Sequence, residues 1–244
     1  MCTQQFGSWM IDVCGKFSCP PETLTLAQEY PEPAAFIAQL RGMNMNQEAV
    51  EAMARILPPE KSVEWAEVCA QMAGEKAGIS TEELQALDAA KAWSLDPTDV
   101  NRMDAEFAAG NLPPNTPAMW VANAAAWSEP FEFPADTVPL PFASDLTARA
   151  VVGAVRLSAA MIGAGRPIEI PSLSKESLGG AISVQGDSTS GAMWSQANAM
   201  TPEQFEMSSK LLDPLVEKGV GLAQGLPNWS CTDPLCAPGI AGSL

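Results

Sequence analysis

Apolar residues recur at helical spacing through much of the chain. Val50, Met53, Ala54 and Leu57 stand at i, i+3, i+4 and i+7, one stripe of a helix that ends at Pro58 and Pro59. A second helix begins near Ser62, with Trp65, Val68, Cys69 and Met72 on one face and Glu60, Glu64, Glu67 and Glu75 largely on the other. Cys69 therefore reads as a small buried apolar residue. Ser80 with Glu83 forms a capping box that opens the next helix, in which Ala86, Ala89, Ala90 and Trp93 share a stripe.

Proline punctuates the rest of the pattern. Asp96 before Pro97 and Thr116 before Pro117 each place a cap ahead of a proline at the first helical position, predicting helices to about Gly110 and Trp127. Pro33 predicts a short helix through Phe36, Ile37 and Leu40, and Thr201 and Pro202 predict a final one with Phe205, Leu212 and Val216 inward. The Ala-, Gly- and Val-rich stretch from about Ser144 to Gly163 reads as the central helix, because small side chains let neighbouring helices approach closely. Arg149 and Arg156 lie on one side of it and are expected to pair with acidic neighbours.

Between these helices stand less regular segments. The four prolines of EPFEFPADTVPLPF (Glu129 to Phe142) forbid a helix interior and predict an extended crossover, and Ser172 to Met200 reads as a long Gly/Ser-rich loop. The expected fold is all-α: a compact array or bundle of about six to eight short proline-capped helices with irregular ends. Its parts are an irregular cysteine-bearing segment over 1–43 with a short helix, a helical core over 44–165, and a loop, final helix and cysteine-bearing tail over 166–244.

Charge narrows the partners. The chain has 29 acidic and 13 basic residues, net −16, with 20 acidic against 7 basic residues in 1–140 and 9 against 6 thereafter. Such a surface repels nucleic-acid phosphates and anionic lipid, and its acidity suits a basic protein partner. Glu60, Glu64 and Glu67 are the candidate partner-binding face; a divalent cation held by the three is a weaker use of the same spacing. The start MCTQQFGSWMIDVCGKFSC has neither a basic leader nor a continuous apolar run, so cytoplasmic residence is expected. The most apolar stretch, Ala150 to Gly165, is interrupted by Arg156 and reads as a buried helix rather than a membrane span.

Candidate chemistry is sparse. The chain has no histidine, which excludes a Ser-His-Asp triad, a Cys-His pair and every imidazole metal ligand. GDS at Gly186 to Ser188 therefore lacks the base that a hydrolase serine needs. Ser172 and Lys175 fit S-x-x-K, in which a lysine one turn away activates a serine, and they are the residues of an alternative hydrolase reading. Cys14 and Cys19, and Cys231 and Cys236, form two pairs with the same gap; free thiols are the leading reading, with a four-thiolate zinc site and disulfides as the alternatives. No cofactor is expected, zinc at these four cysteines being the one alternative.

ILPPEKSVEWA (Ile56 to Ala66), WSLDPTDVNR (Trp93 to Arg102), TPAMWVANAAAWS (Thr116 to Ser128) and LTARAVVGAV (Leu146 to Val155) together resemble an uncharacterised bacterial helical domain family found in gene neighbourhoods of type VI secretion effectors. The resemblance covers about Asn44 to Gly165, and its motif residues are helix caps and core tryptophans. It implies a fold and a loading-adaptor setting, with no catalytic residue to carry over. The expected function is a non-enzymatic acidic binding protein, adaptor or chaperone-like. An immunity protein that neutralises a basic toxin is the alternative within the binding class.

Overall fold

A computed structural model describes residues 2–128, 145–165, 202–226 and 228–229. Ten helices and no strands occur among them: α1 (Cys2–Gly15), α2 (Pro21–Glu29), α3 (Pro33–Gly42), α4 (Asn46–Ile56), α5 (Pro59–Ala77), α6 (Thr81–Leu95), α7 (Asp99–Gly110), α8 (Pro117–Ala126), α9 (Leu146–Ala164) and α10 (Pro202–Ala223). The fold is all-α. Eight of the helices are those expected from periodicity and caps. The proline-rich crossover at 129–142, the 172–200 loop, Ser172, Lys175 and the GDS segment lie outside the described residues.

The first 30 residues correct an expectation. They are helical rather than irregular, because Met10, Val13 and Cys14 make an inward stripe on α1 and Pro21 opens α2, which buries Thr23, Leu26 and Ala27. Asp96 is a second correction. It closes α6, its amide donating to the Ala92 carbonyl (3.0 Å), while Thr98 caps α7 by accepting the Asn101 amide (3.4 Å). Pro97 holds its predecessor extended, so Asp96 belongs to the turn and the cap moves two residues on. The Ser80–Glu83 capping box forms as expected, with reciprocal bonds of 3.1 and 2.9 Å.

The helix α9 is the hub, packed on α5 and α8 and also touching α4 and α10. It is long and apolar enough to cross a membrane by length and composition, but about half of that stretch is buried inside the protein. Ala150, Val151, Ala154 and Val155 are fully enclosed, and Trp120 of α8 lies along Gly153, where an added Cβ would meet its ring at 3.4 Å. The Trp120 ring also stands edge-on to Trp127, 6.4 Å between centroids.

Helix α10 packs on α4, α5 and α9 and is tied to α5 by Trp65, which is fully buried and donates its indole N–H to the Leu215 carbonyl (2.8 Å). Gly219 makes room for it: a Cβ there would come within 3.0 Å of the indole. Asn46 of α4 donates twice to Ser209 of α10, from its amide to the hydroxyl (3.4 Å) and from its side chain to the carbonyl (3.0 Å), and Arg41 of α3 pairs with Asp213 (2.8 Å) and Glu217. Trp229, after α10, is buried and accepts the Ala34 amide at 3.1 Å.

The arginines of α9 pair as expected. Arg149 meets Asp145 at 3.2 Å and Arg156 meets Glu51 at 3.0 Å. Between those two carboxylates sits Arg55 of α4, its side chain 4% exposed, bonded to Glu51 (2.7 Å) and Asp145 (2.8 Å) and lying 5.4 Å from the centre of the Phe17 ring. Opposite charges alternate along this row, so each buried group is compensated by a neighbour.

Candidate functional site

The three glutamates singled out from the sequence do not form one open acidic face. Glu67 is only 3% exposed; Gln71 donates to its carboxylate at 2.5 Å and Lys91 of α6 stands 3.7 Å away. Burial holds its carboxyl above the ordinary glutamate range, against the pull of Lys91. Glu64 is held by Lys61 at 2.6 Å, and Glu60 lies in the first turn of α5, half-buried, where negative charge suits the helix N-terminus. The three share one side of α5, and Lys91 of α6 stands over its Glu67 edge. Glu60 and Glu64 remain partly exposed on that face.

The cysteine pairs divide. Cys14 at the end of α1 and Cys19 just before α2 are free thiols, the Cys19 thiol donating to the Pro20 carbonyl (3.6 Å). Burial pushes the Cys14 thiol up to about 12, helped by the neighbouring Cys19, and burial raises Cys19 as well. Both thiols are thereby held protonated near neutral pH, and metal binding there would have to displace those protons. Cys231 and Cys236 lie outside the described residues, and no group of three or more cysteine, aspartate or glutamate side chains placed to hold a metal occurs among the described ones. Of the four cysteines of the candidate zinc site, the described residues hold two, Cys14 and Cys19. Cys69 is fully buried, as expected, and its thiol is also raised by desolvation.

Two surface clefts bring little chemistry together. One is lined by Ile56, Pro58, Leu226, Asn228 and Trp229; the other lies where Gly74, Ile79 and Met161 meet Glu83. Glu83 is already committed to the capping box. Neither lining pairs a nucleophile with a base.

The outstanding surface is one that periodicity did not single out. Helix α7 buries only Ala105 and Ala109, and it turns Val100 (68% exposed), Met103 (59%) and Phe107 (77%) outward. At 100° per residue these three fall within about 60° of the helix circumference, a narrow apolar seam along roughly 10 Å of helix. Leu95, at the end of α6, is 76% exposed. Carboxylates flank the seam on both sides: Asp104 lies about 40° beyond Val100, and Asp99 and Glu106 lie about 40–60° before Met103. Arg102 stands farther round, 3.5 Å from Asp99 and 3.9 Å from Glu106. From Thr81 to Gly110 there are seven carboxylates against two cations, Lys91 and Arg102. An apolar seam framed by one sign of charge is a chemical description of a docking surface.

The sequence carried a signal for it. Val100, Met103 and Phe107 have i, i+3, i+7 spacing, and the alanines at 105, 108 and 109 offer the opposite side of the helix a closer fit. That signal also describes a core stripe, so it does not separate inside from outside.

Comparison with known proteins adds a family and no activity. A family model described as a family of unknown function (DUF6931) matches residues 36–174, more than half of the chain, from α3 to beyond α9 and including α7. Neither the curated proteins nor the solved structures contain a match. The chain therefore belongs to the family of unknown function DUF6931.

Proposed function

We propose that this is a non-enzymatic binding protein, an adaptor or chaperone-like factor, that holds a basic protein partner on the outer face of α7. The observation that carries the reading is the exposed seam of Val100, Met103 and Phe107 between Asp99, Asp104 and Glu106. Apolar side chains supply the affinity, since burying each one removes it from water, and the carboxylates select a cationic partner and speed its arrival. Cytoplasmic residence and a role in loading type VI secretion effectors belong to the same proposal; the latter is supported by the resemblance of Ile56 to Ala66 and its companion stretches.

The test is affinity capture with the full chain from its native cell, beside a variant carrying Val100→Ser, Met103→Ser and Phe107→Ser. A basic protein recovered by the parent, lost from the variant and weakened by added salt supports the reading. Equal recovery by both proteins, or none by either, overturns it. The strongly acidic charge also favours an immunity protein for a basic toxin. Co-expression with candidate toxins distinguishes the two, because an immunity protein restores growth and a loading adaptor does not.

A further inference from the structure

We infer that the outer face of α7 receives a basic amphipathic helix, packed along it in the manner of a short coiled coil. The inference rests on the binding reading above and names the form of the partner's docking segment. Its basis is the register of α7. Numbered as a heptad, Val100 is a, Met103 is d and Phe107 is the next a, so the exposed side chains are those that a second helix covers in knobs-into-holes packing. Ala105, which is buried against the rest of the protein, occupies f, the position opposite the seam.

The flanking positions make the choice of partner. Asp99 and Glu106 occupy successive g positions and Asp104 occupies e, so all three sites that border the seam between Asp99 and Phe107 carry carboxylates. In coiled-coil pairs e and g charges set partner and orientation, so the complement is a helix with apolar a and d residues and Lys or Arg beside them. A second copy of this chain is disfavoured on the same ground, because self-pairing sets carboxylate against carboxylate. No strand occurs among the described residues, so docking there by addition to a sheet edge has no template. The acidic border also repels phosphate backbones and anionic lipid surfaces.

The probe is a fluorescent synthetic peptide of about 18 residues, a little over two heptads, with Leu at a and d, Lys at e and g, and Ala and Gln elsewhere. Anisotropy is read against the full chain, against a Met103→Ser/Phe107→Ser variant whose helicity and unfolding midpoint are checked first, and with a control peptide carrying Glu in place of Lys. Saturable binding to the parent is expected, weakened about tenfold or more by the double substitution and by the Glu-for-Lys exchange, and reduced by salt. No saturable binding, or equal binding to parent and variant, overturns the inference. So does a concentration-dependent dimer of the parent that the same substitutions abolish, since a second copy then occupies the face. If the peptide fails while partner capture still depends on Phe107, the helical inference falls and the binding reading stands; if capture fails too, both fall.

Discussion

Helices α4 and α7 carry almost the same apolar pattern and use it in opposite ways. Val50, Met53 and Leu57, running from α4 into its C-cap, and Val100, Met103 and Phe107 on α7 share i, i+3, i+7 spacing. The first three are 0%, 0% and 4% exposed, whereas the second three are more than half exposed. The difference lies in what surrounds each helix. Helix α4 is enclosed by α1, α3, α9 and α10, so its stripe faces side chains delivered from remote parts of the chain. Helix α7 packs its alanine side on α6 and α8 and has no further layer beyond its seam among the described residues. A stripe of this spacing is a demand for a partner, and the fold meets it for one helix and leaves it open for the other.

The largest test of the comparison uses charge. Arg55, on the enclosed helix, holds two carboxylates that are 18% and 10% exposed. Arg55→Ala leaves Glu51 and Asp145 with less compensation in a site poor in water, and it is expected to lower unfolding free energy by about 3–5 kcal/mol in urea titrations. A loss below about 1 kcal/mol would mean that the row is solvated and the enclosed side is less closed than described.

The paired methionines come next. Met53→Ala removes a fully buried side chain and is expected to cost about 2–5 kcal/mol, whereas Met103→Ala is expected to change stability by about 0.5 kcal/mol or less. The same urea titration measures both. Similar losses at the two positions would break the comparison, because Met103 would then be inside.

The smallest expected effect concerns Glu67, the acidic residue that changed sides. Its carboxyl is raised in the folded protein by burial, so the native state binds a proton more readily than the unfolded chain does. The stability this contributes is complete below the ordinary value of 4.5 and is lost as pH rises through the higher folded value. Glu67→Gln cannot titrate, so the parent should lose stability relative to this variant from about pH 4.5 upward, as read by thermal unfolding across pH. A difference that instead grows in the parent's favour with rising pH would mean that Lys91 outweighs burial.

Much of the architecture was legible because helix starts and stops are local. Ser80 and Glu83 announce their cap within four residues, Pro33 and Pro202 open helices at their own positions, and the small residues of α9 declare a crowded axis. The misreadings each involve a competing local rule or a distant neighbour. Pro97 drew the cap to Asp96, although the extended residue before a proline left Thr98 to do the capping. The cysteines of the N-terminal segment suggested irregular chain, although Met10, Val13 and Cys14 already carried helical spacing. Glu67 looked exposed on its own helix and is covered from α6 by a neighbour more than 20 positions away.

The sequence by itself determined that the chain is helical, where most helices begin and end, that its surface is strongly acidic, and that histidine chemistry is closed to it. These follow from periodicity, capping and composition, which need no knowledge of remote contacts. Tertiary structure alone decided which stripes and which carboxylates face inward. Periodicity states that Val100, Met103 and Phe107 share a side of α7, just as it does for Val50, Met53 and Leu57. Whether that side meets the core or the solvent depends on where α9 and α10 pass, a property of the assembled chain that no single window of residues contains.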